Sequence, residues 1–551
     1  MGLMLNALPR FPKPENSPFV SFAPETPERR ALQMELWRLR NLPLDEKPRL
    51  PLWINGPVTT KESEYCKIPH CLDKILGFYH PAGEEHVQRA VGTVLDAREK
   101  WSQIPWFMRM HIFRRAARLM ETKYLIPLVA AVMEDYSKNP FEAFIDVQEL
   151  IDFLNFNVYY ASTIYAEQPD CDKDTSNMLD YRPHEGFIFA LPPNNFIAIN
   201  GNLCTAPLIM GNVVIVKPAS DVVYSFHMFL KVLHEAGLPK NVLAVLHGNS
   251  GMIGDIVMSH PMLSGVHFTG GTETFNNIWK KIGQGIDNYR AYPKIVGETG
   301  GKDAIVVYDD HDPLQTATSM VVGAFGYQGQ KCSATSRVYM TWEMFHKMRP
   351  HLTDLLARIK VGDVTDFRNF MGAVINRRRL LEIESHIAEA DRNLGHDVLM
   401  VMRGNDAPHD SNGWFVPPTV IVTANPAYQT MSEEVFGPLL TICLLHEAQF
   451  KSGEVLKICD GTSPYALTGA VQTQDMEKFC EALDRLRYSA GNIYDDRTTA
   501  AMVDKQPFSG SRKSGTNSKV GWRLNLFNWV DPRTIGLRTT RTTFPPKYLV
   551  E

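Results

Sequence analysis

The stretch GYQGQKCSATSR (326–337) sets a thiol in a polar, glycine-flanked turn. Unpaired cysteines more often act as small buried hydrophobes, so Cys332, directly after Lys331, reads as a candidate nucleophile. A free thiol ionises near pH 8.5 (about), and backbone N–H groups, a helix N-terminus or a cation such as Lys331 raise its thiolate fraction. An exposed loop cysteine without a role is the plain alternative. Upstream, KIVGETGGKDAIVVY (294–308) places Glu298 in a Gly-rich turn between two β-like runs. A carboxylate there can act as general base on water; otherwise the glycines only supply positive φ and Glu298 is solvated. In ALPPNNFIAINGNL (190–203), Asn195 follows a strand end and can offer an amide N–H to an oxyanion. A Pro-rich turn with no further role accounts for it equally.

Three more stretches fit a nucleotide. Lys217 ends a buried strand in VIVKPAS (214–220), where it is either solvated or bonded to ribose hydroxyls or phosphate. HFTGGTETF (267–275) is a strand, a glycine turn and a helix start, whose N–H groups can face a pyrophosphate. In SEEVFGPLL (432–440), Glu434 can hold a ribose and Phe436 can line a nicotinamide pocket, though a plain loop is open too. No intact G-x-G-x-x-G supports a dinucleotide site, and GETGGK lacks Walker spacing.

The elements that must position these groups follow from periodicity. FIFAL (187–191), NVVIV (212–216), VLAVL (242–246) and GVHFT (265–269) alternate with helical segments near 201–210, 221–236, 251–259 and 272–282. Near-continuous apolar strands alternating with helices indicate a doubly wound parallel sheet. A second alternation runs from DAIVVY (303–308) to SAGNIY (489–494), with SRVYMT, TICLL and TGAVQ as strands and 343–359 and 376–391 as helices. The expectation is two α/β lobes. Ahead of them lies a proline-punctuated arm with one helix opening at Thr26–Pro27, then a helix burying Val87, Val91, Val94 and Leu95, and further helix over 108–122 and 140–162. Segments 177–186 and 520–551 fit neither alternation and are either strands that pair with another subunit or surface loops.

Composition excludes several classes. The 551 residues are 44% hydrophobic and 21% charged, with net charge −4 and no long block of either sign. That argues against nucleic-acid binding. The longest apolar runs, such as LIPLVAAVM (125–133), are too short to span a bilayer. Eight cysteines without framework or zinc spacing indicate free thiols in a reducing compartment and no metal site. The N-terminus carries neither a secretory signal nor an Arg-rich transit pattern.

Taken in order, Asn195, Lys217, the FTGG turn, Glu298, Cys332 and EEVFGP resemble the aldehyde dehydrogenase superfamily over roughly residues 80 to 510. ELIDFLNFN (149–157), NNFIAINGNLCTAPLIMGNVVIVKP (194–218) and QPFSGSRKSGTNSKVG (506–521) are similar to its Δ1-pyrroline-5-carboxylate dehydrogenases. The resemblance implies an aldehyde dehydrogenase-like fold of two doubly wound lobes plus a small β oligomerisation element. Its segments would be an arm (1–60), an NAD-binding domain (61–297, with a strand insertion at 163–186), a catalytic domain (298–505), and a return to the first lobe with an oligomerisation tail (506–551). It implies NAD-dependent oxidation of L-glutamate γ-semialdehyde to L-glutamate, the second step of proline catabolism, in a mitochondrial homodimer or higher homo-oligomer. A cytoplasmic location is the alternative.

By the same resemblance Cys332 is the nucleophile, Glu298 the base, and Asn195 with the Cys332 N–H the oxyanion hole. Pro192, Lys217, Gly270, Gly271, Thr272, Glu273, Thr274, Glu434 and Phe436 would meet NAD. Phe196 and Phe508 would flank the aldehyde, Ser333, Ala500 and Ala501 would meet its carboxylate end, and Glu149 and Lys331 would lie nearby. Three departures stand out. Gly271 replaces the usual serine of FTGS, TAA (499–501) replaces TGA or TGS, and Ser509 stands where QPFGG has glycine. A glycine needing positive φ at 500 would leave Ala500 strained; Ser509 is expected to change little. Other readings are an NAD(P)-dependent dehydrogenase of another small aldehyde, and a cofactor-free thiol esterase. Ser220 after KPA leaves NAD against NADP open.

Overall fold

The computed structural model describes residues 9–408, 411–499, 501–540 and 549. Strands Phe187–Leu191, Val213–Val216, Leu243–Val245, Leu263–Thr269 and Lys294–Glu298 form a parallel sheet. Nearly every residue in the first four is buried, as strands covered on both faces by helices require. From Phe187–Leu191 the chain winds outward through Val213–Val216 to Leu243–Val245. It then returns to the other side for Leu263–Thr269 and Lys294–Glu298. This reversal opens a crevice at the carboxyl ends of Phe187–Leu191 and Leu263–Thr269, where doubly wound sheets bind ligands.

The edge of this sheet is extended by Leu52–Trp53 and Pro57–Val58, both antiparallel. Part of the segment expected to be an N-terminal arm therefore belongs to the first sheet. Two-residue strands carry no readable alternation, so the sequence gives no sign of them.

The second sheet is ordered Val398–Arg403, Thr419–Thr423, Leu439–Leu445, Thr335–Thr341, Asp303–Val307, Thr468–Gln472, Asn492–Tyr494, parallel except for Val398–Arg403. Hydrophobic clusters lie on both of its faces, one around Ile421 and Leu456, the other around Met348 and Leu440. The chain crosses between sheets in four residues, 299–302, so the carboxyl end of Lys294–Glu298 meets the amino ends of Asp303–Val307 and Thr335–Thr341. Parts of the two segments that fit neither alternation form a separate element. Thr175–Arg182 pairs antiparallel with Asp531–Arg538 along its whole length, within the one chain.

Three helices under the first sheet carry the site. Leu125–Tyr136, noticed in the sequence only as an apolar run, is buried from Leu128 to its end. Pro140–Ala166 opens on an Asn139 side-chain cap and packs along Ile197–Ile209. The contact is close because Gly201 has no side chain: a Cβ there would overlap Leu150 and crowd Phe229. Gly201→Ala is expected to destabilise by about 1–3 kcal/mol through overpacking, read as a lower midpoint of chemical denaturation. Adding Leu150→Ala should cost less than the two single losses summed, because it vacates the volume the methyl needs.

Candidate active site

Helix Pro313–Phe325 ends at Gly326, and the next three residues all adopt left-handed backbone: Tyr327 at φ 51°, Gln328 at 55° and Gly329 at 66°. For the two non-glycines this costs about 1–3 kcal/mol each unless the surroundings enforce it. Here they do. The Gln328 amide donates to Ser137 O (2.9 Å) and Ala373 O (2.8 Å). Gln330 Oε1 accepts from the Ile375 N–H at 2.8 Å, and the Tyr327 ring is buried edge-on to Phe196. A Cβ on Gly329 would overlap the Gly437 carbonyl. The turn delivers Cys332 to the junction of the two sheets.

Lys331 does not serve the thiol as expected. Its ammonium turns away to Glu142, at 2.8 Å. Burial pushes the Cys332 thiol well up, and the carboxylates of Asp303, Glu434 and Glu298 push it further, with only the Ser333 N–H favouring the thiolate. Its surroundings favour the neutral thiol. The glycines of GETGG are not at positive φ either. They serve close approach: a Cβ on Gly300 would overlap the Glu434 carboxylate, and one on Gly301 the Cys332 carbonyl and Asp303.

Glu298 ends the last strand of the first sheet, 7% exposed. Burial pushes its carboxyl up to about 8, against hydrogen bonds from Ser509 Oγ and the Gly510 N–H (3.0 Å) and the nearby Lys519 ammonium. Ser509, expected to change little, is fully buried and holds the carboxyl directly. Nothing in the QPFSG string signals this, because the contact closes a loop of 211 residues.

Asn195 is buried, and its Nδ2 donates to Gln330 O at 3.2 Å while Oδ1 has no partner. An amide nitrogen carries two protons, so one remains for an incoming oxygen. Asn195 and Phe196 are held through a pair that the sequence reading missed. Asp146 accepts from the Ile197 and Ala198 N–H groups at 3.0 and 2.9 Å, capping the helix that begins there, and binds Lys138 at 2.6 Å. Lys138 lies 3.6 Å from the Phe196 ring centre and 4.4 Å from that of Tyr327. Both charges are fully buried.

The groups expected to meet NAD cluster at the crevice of the first sheet. Pro192 directly follows Phe187–Leu191, Lys217 follows Val213–Val216, and Gly270 to Thr274 follow Leu263–Thr269. Lys217 is buried, its ammonium bonded only to Pro218 O (3.2 Å) and pushed down to about 8 by burial. Helix Thr272–Gln284 has no side-chain cap, and the space at Gly271 is open. An unsatisfied ammonium and an open helix N-terminus beside the crevice fit a dinucleotide diphosphate. Glu273 and Thr274 are exposed on that first turn, and Thr272 Oγ1 reaches Tyr465 of the second lobe at 3.3 Å. Glu434 accepts from the Gly301 N–H at 3.0 Å, and Phe436, at φ 53°, lies under the Arg379 guanidinium.

A cavity of 510 Å³ is lined by Glu142, Glu149, Phe196, Lys331, Thr499 and Ala501 among others. Burial, then Asp146, pushes Glu149 up to about 8. Among the described residues Cys332, Ser333 and Phe508 are not on this wall; Phe508 bridges to Val520 instead. Ser333 is tied from behind by Thr498, which donates to its carbonyl at 2.6 Å. Ala500 lies outside the described residues.

The aldehyde dehydrogenase family model matches residues 58–535. The chain is 38% identical over 547 residues to "Delta-1-pyrroline-5-carboxylate dehydrogenase, mitochondrial" of Dictyostelium discoideum, covering 98% of this chain and 96% of that one. It is 38% identical to a probable delta-1-pyrroline-5-carboxylate dehydrogenase of Schizosaccharomyces pombe, covering 96% of each. The structure superposes at TM-score 0.92, with 37% identity, on the Mycobacterium tuberculosis Delta-pyrroline-5-carboxylate dehydrogenase bound with NAD, covering 99% of this chain and 100% of that one.

Removing one partner of a buried ion pair strands the other charge at about 3–5 kcal/mol. Asp146→Ala is therefore expected to destabilise by that order in a denaturant titration. The double variant Lys138→Met/Asp146→Leu should recover only part of the loss: no charge is left buried, but the Ile197 and Ala198 N–H groups lose their acceptor.

Proposed function

The chain belongs to the aldehyde dehydrogenase family, and from that membership we propose that it oxidises L-glutamate γ-semialdehyde, the open form of Δ1-pyrroline-5-carboxylate, to L-glutamate with NAD. The observation that carries this reading is the meeting of Cys332 and Glu298 at the junction of two sheets, beside an amide with a spare proton. Similarity to NAD-bound Δ1-pyrroline-5-carboxylate dehydrogenase over the whole chain supports the substrate and cofactor.

In this reading Cys332 gives up its proton to solvent in the cleft, and its sulfur attacks the aldehyde carbon. The resulting oxyanion is held by the free Asn195 N–H and the Cys332 backbone N–H. NAD, when bound, supplies the hydride acceptor that turns this thiohemiacetal into a thioester. Lys217, the first turn of Thr272–Gln284 and Glu434 would hold it, with Phe436 beside the nicotinamide. Glu298 then takes a proton from water, the hydroxide oxygen attacks the thioester carbon, and the carbon–sulfur bond breaks to release carboxylate and regenerate Cys332. Phe196 and Phe508 flank the aldehyde chain, and Ser333 and Ala501 take its amino-acid end, with Glu149 and Lys331 at the cavity wall.

The family's division into an NAD lobe and a catalytic lobe suits the two sheets. Among the described residues the Thr175–Arg182 and Asp531–Arg538 ribbon has two unpaired edges, which suit self-association into a homodimer. Relatives named as mitochondrial support a matrix location. No helix of the described residues is long and apolar enough to cross a membrane.

Purified protein is expected to form NADH from NAD and Δ1-pyrroline-5-carboxylate faster than from propionaldehyde, and Cys332→Ala to form none. Faster oxidation of propionaldehyde would sink the substrate assignment. Turnover limited by hydrolysis should rise as pH rises through about 8, where Glu298 ionises. Ser509→Ala removes a donor that favours the carboxylate, so the acid limb should move to higher pH and turnover at pH ~7 should fall. Its single-turnover burst of NADH should persist, because acylation precedes the hydrolytic step.

A further inference from the structure

The cavity beside Lys331 has a wall from a part of the chain that the function above leaves without a role: Asn16 and Ser17, upstream of the first helix. This segment is fastened at successive points to helix Trp106–Leu119, to Asp504 and to helix Pro140–Ala166. Phe11 packs on Trp106 and His111, Lys13 pairs with Asp504 at 2.9 Å, and Phe19 packs edge-on to Phe144. The central fastening is Asp152, 6% exposed. It accepts from the Ser17 N–H (2.9 Å), Ser17 Oγ (2.8 Å) and Asn16 Nδ2 (3.0 Å). Asn16 Nδ2 also donates to Val503 O at 3.1 Å, and Gln148 donates to Ser17 O.

The same two residues thus touch both sides of the cavity: the helix face bearing Gln148, Glu149 and Asp152, and the segment Ala501 to Val503 opposite. We propose that the N-terminal segment around Asn16–Ser17, seated by Asp152, closes the far end of the substrate cavity and sets the size of aldehyde admitted. The inference rests on the cavity being the aldehyde site. Its chemistry favours a short amino-acid aldehyde. Asn16 and Ser17 spend their donors on Asp152, which keeps that carboxylate from presenting uncompensated charge beside Glu149 and an incoming α-carboxylate. Through Asn16 the Val503 backbone is tied to the same helix, next to Ala501 and Met502 on the cavity wall.

The test uses the full-length protein with Asn16→Ala/Ser17→Ala, and Asp152→Ala as a second variant. The first readout is the ratio of kcat/KM for phenylacetaldehyde over propionaldehyde. The second is KM for Δ1-pyrroline-5-carboxylate, with KM for NAD as control. Opening the wall should raise the size ratio. In Asn16→Ala/Ser17→Ala, which leaves the Asp152 charge uncompensated, it should also raise KM for Δ1-pyrroline-5-carboxylate, with KM for NAD unchanged. An unchanged size ratio in a variant that folds, whatever its melting temperature, overturns the proposal by showing the segment to be a brace only. If the parent oxidises propionaldehyde but not Δ1-pyrroline-5-carboxylate, the substrate reading fails and the size ratio alone still decides the wall. Should Asp152→Ala not fold, Asn16→Ala/Ser17→Ala carries the comparison.

Discussion

One buried ion pair organises the site. Lys138 and Asp146 sit where neither reaches water, a placement that costs several kcal/mol per ion unless geometry compensates. The compensation is also the positioning. Asp146 takes two backbone N–H groups of the helix beginning at Ile197, and so fixes the turn that presents Asn195 and Phe196. Lys138 lies between the rings of Phe196 and Tyr327, where cation–π attraction is strongest once water is gone. Tyr327 opens the left-handed run that leads to Cys332. One salt link therefore places the amide, the aromatic wall and the approach to the thiol together.

The second constraint is the meeting of opposite strand ends. Glu298 closes a strand of the first sheet and Cys332 precedes a strand of the second, so neither lobe holds a complete set of reacting groups. The lobes are locked at this seam. Ser137, capping a helix of the first lobe, receives the Gln328 amide and binds the Ala373 N–H through its hydroxyl at 2.8 Å. Arg40 bridges Glu134 and Asp363. Burial then does the same thing to both reacting groups, favouring the neutral thiol and the neutral carboxyl until a partner arrives.

The sequence was legible where one physical rule dominates over a short span. Strands such as Phe187–Leu191 and Leu439–Leu445 fall where apolar runs predict them, because burial on both faces leaves no room for alternation. The Thr26 and Asn139 caps sit at helix starts because a short oxygen-bearing side chain suits that turn; only the first was read as a cap. Spacing also drew attention to Cys332, Glu298 and Asn195. Hidden were the relations made by distant contacts: Lys331 spent on Glu142, Ser509 bonded to Glu298, Lys138 with Asp146, and glycines chosen for proximity, not for φ. Composition near each residue says nothing of what folds against it.

The high proton affinity of Cys332 has a consequence for the protein's durability. Peroxide and electrophiles attack thiolates, and a cysteine converted to sulfinic acid is lost for catalysis. Cys332 is one of eight free cysteines, and burial above all, with Asp303, Glu434 and Glu298 nearby, raises its proton affinity. Oxidation follows thiolate character, so the surroundings that hold the proton on this sulfur also shield it from oxidants.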